Sequence, residues 1–139
     1  MRFNYDCIRD VLLYLESNLG YEEDSTILKT FSWQQISKAS ELSEKYSTDE
    51  ITYCLELLKD KGFIKVPHFK RLPSGKILRF DVNDITWDGY DLLDTIKNDT
   101  VWQKTKEKLK IVGASGISVI LSTAIEMGKD FVKEKIGLK

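Results

Sequence analysis

Ser47-Thr48-Asp49-Glu50-Ile51-Thr52-Tyr53-Cys54-Leu55-Glu56-Leu57-Leu58-Lys59-Asp60-Lys61-Gly62-Phe63-Ile64-Lys65-Val66 is the stretch on which the fold turns. A hydroxyl at Ser47 followed three positions later by Glu50 is a helix-start signature, because each side chain can satisfy the other's orphan amide. Ile51, Leu55 and Leu58 then recur on one helical stripe, which Tyr53, Cys54 and Leu57 broaden. Gly62 supplies a left-handed stop, and Phe63 to Val66 reads as a strand that Pro67 ends. The spacing therefore predicts a helix over about 48–61 that runs straight into β structure.

Downstream, Lys76 to Val82 alternates with period two over part of its length, and Leu72-Pro73-Ser74-Gly75 has the residue order of a type I turn. Phe63–Val66 and Lys76–Val82 are thus expected to form a β-hairpin. Upstream, Ser32 with Gln35 repeats the helix-start signature and opens a helix at about 33–43, joined to the next by Leu42 to Tyr46. These two helices make a candidate helix-turn-helix. Before them, Ile8, Val11, Leu12 and Leu15 define a first helix, which Asn4 or Asp6 can cap and which Asn18 to Gly20 stops. An acidic loop from Tyr21 to Ser25 and a short edge strand at Ile27–Phe31 are expected between. After the hairpin, Thr86 caps a helix with Leu92, Leu93 and Ile96 inward. Thr100 with Gln103 opens another at about 101–112. A last helix, roughly 117–136, aligns Ile117, Ile120, Leu121, Ala124, Gly128, Phe131, Val132 and Ile136. No internal repeat or proline-rich linker interrupts the chain.

Leu55 to Ile64 resembles the end of a recognition helix entering the wing of winged-helix proteins, and Ile85-Thr86-Trp87-Asp88-Gly89-Tyr90-Asp91-Leu92-Leu93 resembles the helix start that follows the wing. A second resemblance covers nearly the whole chain. Thr86-Trp87-Asp88-Gly89, Leu92-Leu93-Asp94 and Lys97-Asn98-Asp99-Thr100-Val101-Trp102-Gln103-Lys104-Thr105-Lys106 are similar to an uncharacterised bacterial and phage family, domain of unknown function 2513. Cys7-Ile8-Arg9 and the glycine-bearing, Ser-rich C-terminal helix fit the same family, while Tyr90 stands where that pattern leads one to expect histidine. The resemblance implies a phage or prophage setting and no activity.

The 139 residues are 42% hydrophobic and 31% charged, which excludes a disordered tail or a fibre and fits one domain with a helical extension. Two cysteines, Cys7 and Cys54, are too few for a disulfide scaffold and read as reduced and intracellular. One histidine and two cysteines leave little for a metal site. No signal peptide is legible at the N-terminus, where Arg2, Asp6, Arg9 and Asp10 interrupt the apolar residues. Ile111–Ile125 is uncharged, but as a helix it spans only about 22 Å against a hydrocarbon core of roughly 30 Å. A buried or self-associating helix is the better reading.

The net charge of −1 conceals strong segregation. Residues 1–64 carry 7 basic and 12 acidic groups, whereas residues 65–80 carry Lys65, Lys70, Arg71, Lys76 and Arg79 with no acid. Residues 81–103 are again acidic at −5, and residues 104–139 stand at +4. Cations on a projecting hairpin suit a phosphate backbone; they also keep edge strands from pairing with other chains. Five neutralised phosphates would give a log–log salt slope of about −4.5. On the preceding helix, Thr48, Thr52 and Lys59 are candidates to face a groove. Asp49, Glu50, Glu56 and Asp60 would repel phosphates there and suit a protein partner instead. Lys104, Lys106, Lys108 and Lys110 are spaced by two, which scatters charge around a helix. Trp33, Trp87 and Trp102 are expected in core or interface packing. His68 has no nearby nucleophile in sequence, Asp81, Asp84, Asp88, Asp91 and Asp94 read as a solvated acidic run, and no phosphate-cradling glycine loop is present.

The reading is a mainly α protein with a small β-hairpin (α+β): a winged helix-turn-helix over residues 1–98 with a two-helix extension over 99–139. Its expected role is a non-enzymatic, cytoplasmic regulator of phage or prophage genes that binds double-stranded DNA and needs no cofactor or metal. It is expected to form a homodimer through the C-terminal helix. The alternative is a module that binds a host protein through the acidic helix.

Overall fold

The computed structural model describes residues 4–112, 119 and 122–127. The protein is α+β, and the chain divides into two compact units after Tyr90.

In the first unit, α1 (Tyr5–Asn18) starts where the Asn4 side chain accepts from the Cys7 amide at 3.1 Å. It buries Cys7, Ile8, Val11, Leu12 and Leu15. Then come β1 (Phe31–Ser32), α2 (Trp33–Lys38), α3 (Ser40–Ser43) and α4 (Thr48–Asp60). Both capping boxes read from sequence form: Ser32 with Gln35 opens α2, and Ser47 with Glu50 opens α4. The Asn4 amide also donates to the Glu50 carboxylate at 3.0 Å, and that bond holds the Glu50 carboxyl below its ordinary range. α4 packs against both α1 and α2, burying Ile51, Cys54, Leu55 and Leu58. Its end is the expected glycine stop: Gly62 has φ +73, and the Phe63 amide donates back to the Leu58 carbonyl at 2.8 Å.

Two expectations upstream of α4 change. The helix anticipated at 33–43 breaks at Ala39, whose ψ is 131°. The Ala39 amide closes the end of α2 on the Ile36 carbonyl at 3.2 Å, and the Ser37 hydroxyl bonds back to the Trp33 carbonyl one turn earlier, a contact that weakens helix continuation. The edge strand expected at Ile27–Phe31 shrinks to Phe31–Ser32. Most of that segment instead closes a local loop through Glu22 N to Ile27 O at 2.7 Å and Lys29 N to Gly20 O at 2.8 Å.

The hairpin exists, with a different register. β2 (Ile64–Lys65) pairs antiparallel with β5 (Asp84–Ile85), while β3 (His68–Arg71) pairs antiparallel with β4 (Ile77–Val82). The run Phe63–Val66 therefore does not face Lys76–Val82. Pro67 has no amide to donate, so the ladder stops there and resumes at His68, one step further out. β1 lies on the other side of β4, giving a three-stranded order β1-β4-β3. At the tip, Gly75 N donates to Leu72 O at 2.8 Å, as the turn reading expects. The core of the unit closes with Phe80, Val82, Phe63 and Ile85.

α5 (Trp87–Ile96) spans the division between the units. Thr86 caps it as expected, accepting from Gly89 N at 3.1 Å while donating its own hydroxyl to Gly62 O at 2.6 Å. In the second unit Leu92, Leu93 and Ile96 of α5 are buried, as are Val101, Trp102 and Leu109 of α6 (Asp99–Val112). Asn98, not Thr100, caps α6: its side chain accepts from Val101 N at 3.0 Å. An Asn that precedes Thr100 by two residues is the stronger cap and starts the helix first. Residues 122–127 are helical with Ala124 buried. The rest of the stripe expected over 117–136 (Ile117, Ile120, Leu121, Gly128, Phe131, Val132, Ile136) lies outside the described residues. No helix among the described residues is long and apolar enough to cross a membrane.

Candidate functional site

The hairpin stands out from the first unit: His68, Phe69, Lys70 and Arg71 are all exposed. Alternation along the strands sorts its side chains onto two faces. Phe69 pairs across the ladder with Phe80, which is fully buried, and Lys59 of α4 sits 4.0 Å from the centre of the Phe69 ring. That face turns toward α4. On the opposite, outward face, His68 lies across from Asp81 and Lys70 lies across from Arg79.

The five cations of the hairpin differ in their surroundings. Lys70 and Lys76 are exposed and have no ion-pair partner among the described residues. Arg79 donates from Nε to Asp81 at 2.8 Å, which leaves its two terminal nitrogens uncommitted. Lys65 approaches Asp84 at 3.9 Å. Arg71 is held twice, by the Gly75 carbonyl at 2.6 Å and by the Glu56 carboxylate. The segment 65–80 holds no acid of its own, but the fold brings a carboxylate from outside it beside Lys65, Arg71 and Arg79. Exposed pairs such as Lys65–Asp84 contribute only about 0–1 kcal/mol and exchange readily for another anion. Arg71, bonded on both sides, is different in kind.

The groove-facing candidates on α4 are not equivalent either. Thr48 is exposed. The Thr52 hydroxyl donates to the Thr48 carbonyl at 2.7 Å, so toward any ligand Thr52 can only accept. Lys59 bends away to Asp60 at 3.1 Å and to the Phe69 ring, which places it in packing between helix and hairpin.

One feature escaped the sequence reading. His68 Nδ1 lies 3.5 Å from Asp81, a partner thirteen positions away that only the register brings close. Of the tryptophans expected in core or interface packing, Trp102 is buried in the core and Trp87 is 88% exposed, which leaves only the interface for it. Cys7 and Cys54 are both buried and unbonded as a disulfide. A hydrogen bond with Cys7, followed by burial, pushes the Cys54 thiol well above its ordinary range, so Cys54 is not poised as a nucleophile, and Cys7 is shut off from solvent. Among the described residues, no group of three or more His, Cys, Asp or Glu side chains could hold a metal ion.

The sequence profile of the family described as "Hypothetical protein (DUF2513)" matches residues 2–115. The chain belongs to the DUF2513 family. A protein of Haemophilus influenzae (strain Rd), described as an uncharacterized protein, is 29% identical over 113 residues, which cover 79% of this chain and 80% of that one. No solved structure matches this DUF2513 protein significantly.

Proposed function

We propose that residues 1–98 of this DUF2513 protein form a winged-helix domain that binds duplex DNA, with the β3–β4 hairpin as the wing. The order α1, β1, α2–α3, α4, hairpin and the strand arrangement β1-β4-β3 support that reading of the fold. One observation carries the function: Lys70 and Arg79 face each other across the outward side of the hairpin. Like charges directly opposite in a ladder repel. Asp81 already pairs with Arg79, whereas Lys70 has no ion-pair partner among the described residues and is open to an added anion. Lys76 at the tip is a second cation with no ion-pair partner among the described residues, and the terminal nitrogens of Arg79 add a third site of positive charge. Thr48 and Thr52 are the base-facing candidates on α4. The role is that of a non-enzymatic, cytoplasmic regulator in the phage or prophage setting that the sequence resemblance implies. Dimerisation through the C-terminal helix would place two such domains on half-sites roughly 34 Å apart.

The test is a salt titration against random duplex DNA. Three phosphates held per subunit, by Lys70, Lys76 and Arg79, give a log–log slope of about −2.7, against about −4.5 if all five cations engage. Absence of duplex binding at low salt refutes the proposal.

A second reading is favoured by Trp87. A tryptophan left 88% exposed on the first turn of α5 is the kind of side chain that anchors protein interfaces. With Asp49, Glu50 and Asp60 on α4, it suits a module that binds a host protein. A partner retained from host lysate after nuclease treatment and lost on Trp87→Ala substitution is the outcome expected of this reading.

A further inference from the structure

We infer that Arg71 and Glu56 form a latch that seats the hairpin on α4, and that both are positioning residues rather than nucleic-acid contacts. The duplex-binding arm of the test below rests on the function proposed above; the latch itself does not.

A two-stranded hairpin joined to a domain only at its base can rock about that base. Here its outer half is fastened to α4 by side chains on one face. The Arg71 guanidinium donates from Nη1 to the Gly75 carbonyl at 2.6 Å and from Nη2 to Glu56, so one planar group ties the turn to the helix. Its carbon lies 5.8 Å from the centre of the Phe69 ring, and Lys59 Nζ lies 4.0 Å from the same centre. Phe69 in turn meets buried Phe80 edge-on, with ring centres 5.1 Å apart and planes at 86°. Phe69 is thus a pivot held by two cations and an aromatic floor, and Glu56 locks the arginine that completes it.

The latch also accounts for a carboxylate on the helix expected to approach phosphates. Glu56 is compensated by Arg71, so its charge does not stand alone on that surface. The arginine fork fits this use better than lysine would, because it can bind a carbonyl and a carboxylate at once in a fixed plane. Both side chains are about a third exposed, so the latch shifts the seated population of the hairpin by roughly three- to tenfold rather than irreversibly.

The experiment is ¹⁵N relaxation, with relaxation dispersion, on the full chain without nucleic acid, comparing wild type, Glu56→Gln, Arg71→Gln and the double variant. Each single variant is expected to raise the mobility of the amides from Lys70 to Lys76 and to weaken the contact between the Phe69 ring and Lys59. The double variant is expected to be no worse than either single one, since they break one interaction. Unchanged hairpin mobility in the single variants, or effects that add, would overturn the latch. In duplex binding, Glu56→Gln removes a negative charge, and electrostatics alone would tighten the complex. The latch requires binding three- to tenfold weaker, and tighter binding counts against it. Arg71→Gln should lower affinity without changing the salt slope; a slope shallower by about 0.9 would make Arg71 a phosphate ligand. If wild type binds no duplex, the proposed function fails while the relaxation data still decide the latch.

Discussion

Gly89→Ala lowers the unfolding free energy by about 3 kcal/mol, measured by urea denaturation followed by circular dichroism. Helix propensity alone gives the opposite sign, because alanine is favoured over glycine inside a helix by about 1 kcal/mol. The two effects differ in direction, so the measurement is decisive. A Cβ on Gly89 would lie 2.0 Å from the Phe63 carbonyl oxygen and 2.6 Å from Ile85 Cγ2. The carbonyl cannot retreat. Thr86 N donates to it at 3.1 Å, the Thr86 hydroxyl holds the adjacent Gly62 carbonyl, and β2 is paired with β5. The first turn of α5 must lift instead. That breaks the Thr86 cap and opens Phe63 and Ile85 to water, each an effect of about 1 kcal/mol or more. A variant as stable as wild type would mean that the first turn of α5 does not rest on Phe63 and Ile85 in solution.

On the proposed DNA-binding function, the double substitution Lys70→Glu with Lys76→Glu abolishes duplex binding at physiological salt and leaves thermal unfolding nearly unchanged. Both side chains are exposed and have no ion-pair partner among the described residues, so no native contact is lost. Lys70→Glu also replaces a repulsive pairing across from Arg79 with an attractive one, which stabilises the hairpin slightly. Each reversal removes one phosphate contact and adds one repulsion. Both hairpin cations without an ion-pair partner among the described residues are gone, and fluorescence anisotropy with labelled duplex should show no saturable binding. Residual binding within threefold of wild type would place the nucleic-acid surface elsewhere.

What could be read in advance was what neighbouring residues decide. The capping boxes at Ser32/Gln35 and Ser47/Glu50, the Gly62 stop and the Thr86 cap are each written within a few positions, and all of them form. Thr100/Gln103 carried the same spacing and failed, because Asn98 offered a better acceptor two residues earlier. The hairpin was legible as two β-prone runs about a turn, but its register was not. Pro67 had to be recognised as an interruption within the ladder rather than its end, and the strand beyond it, His68–Arg71, is too polar to announce itself. The site suffered most. A block of cations is visible in composition, yet whether each is free depends on which carboxylate the fold brings near. Arg71 finds Glu56 fifteen residues away, and Arg79 finds Asp81 on its own strand. Only the structure separates the cations that remain available from the one that fastens the hairpin down.

The enclosed sulfurs of Cys7 and Cys54 make the folded and unfolded chains chemically unequal. With the thiols shielded and the Cys54 proton held tightly, purified native protein should store in air without reductant. The denatured chain has no such shelter, and during refolding two ordinary thiols are open to cross-linking between molecules. Recovery from denaturant will therefore depend on a reducing buffer that the finished protein no longer requires.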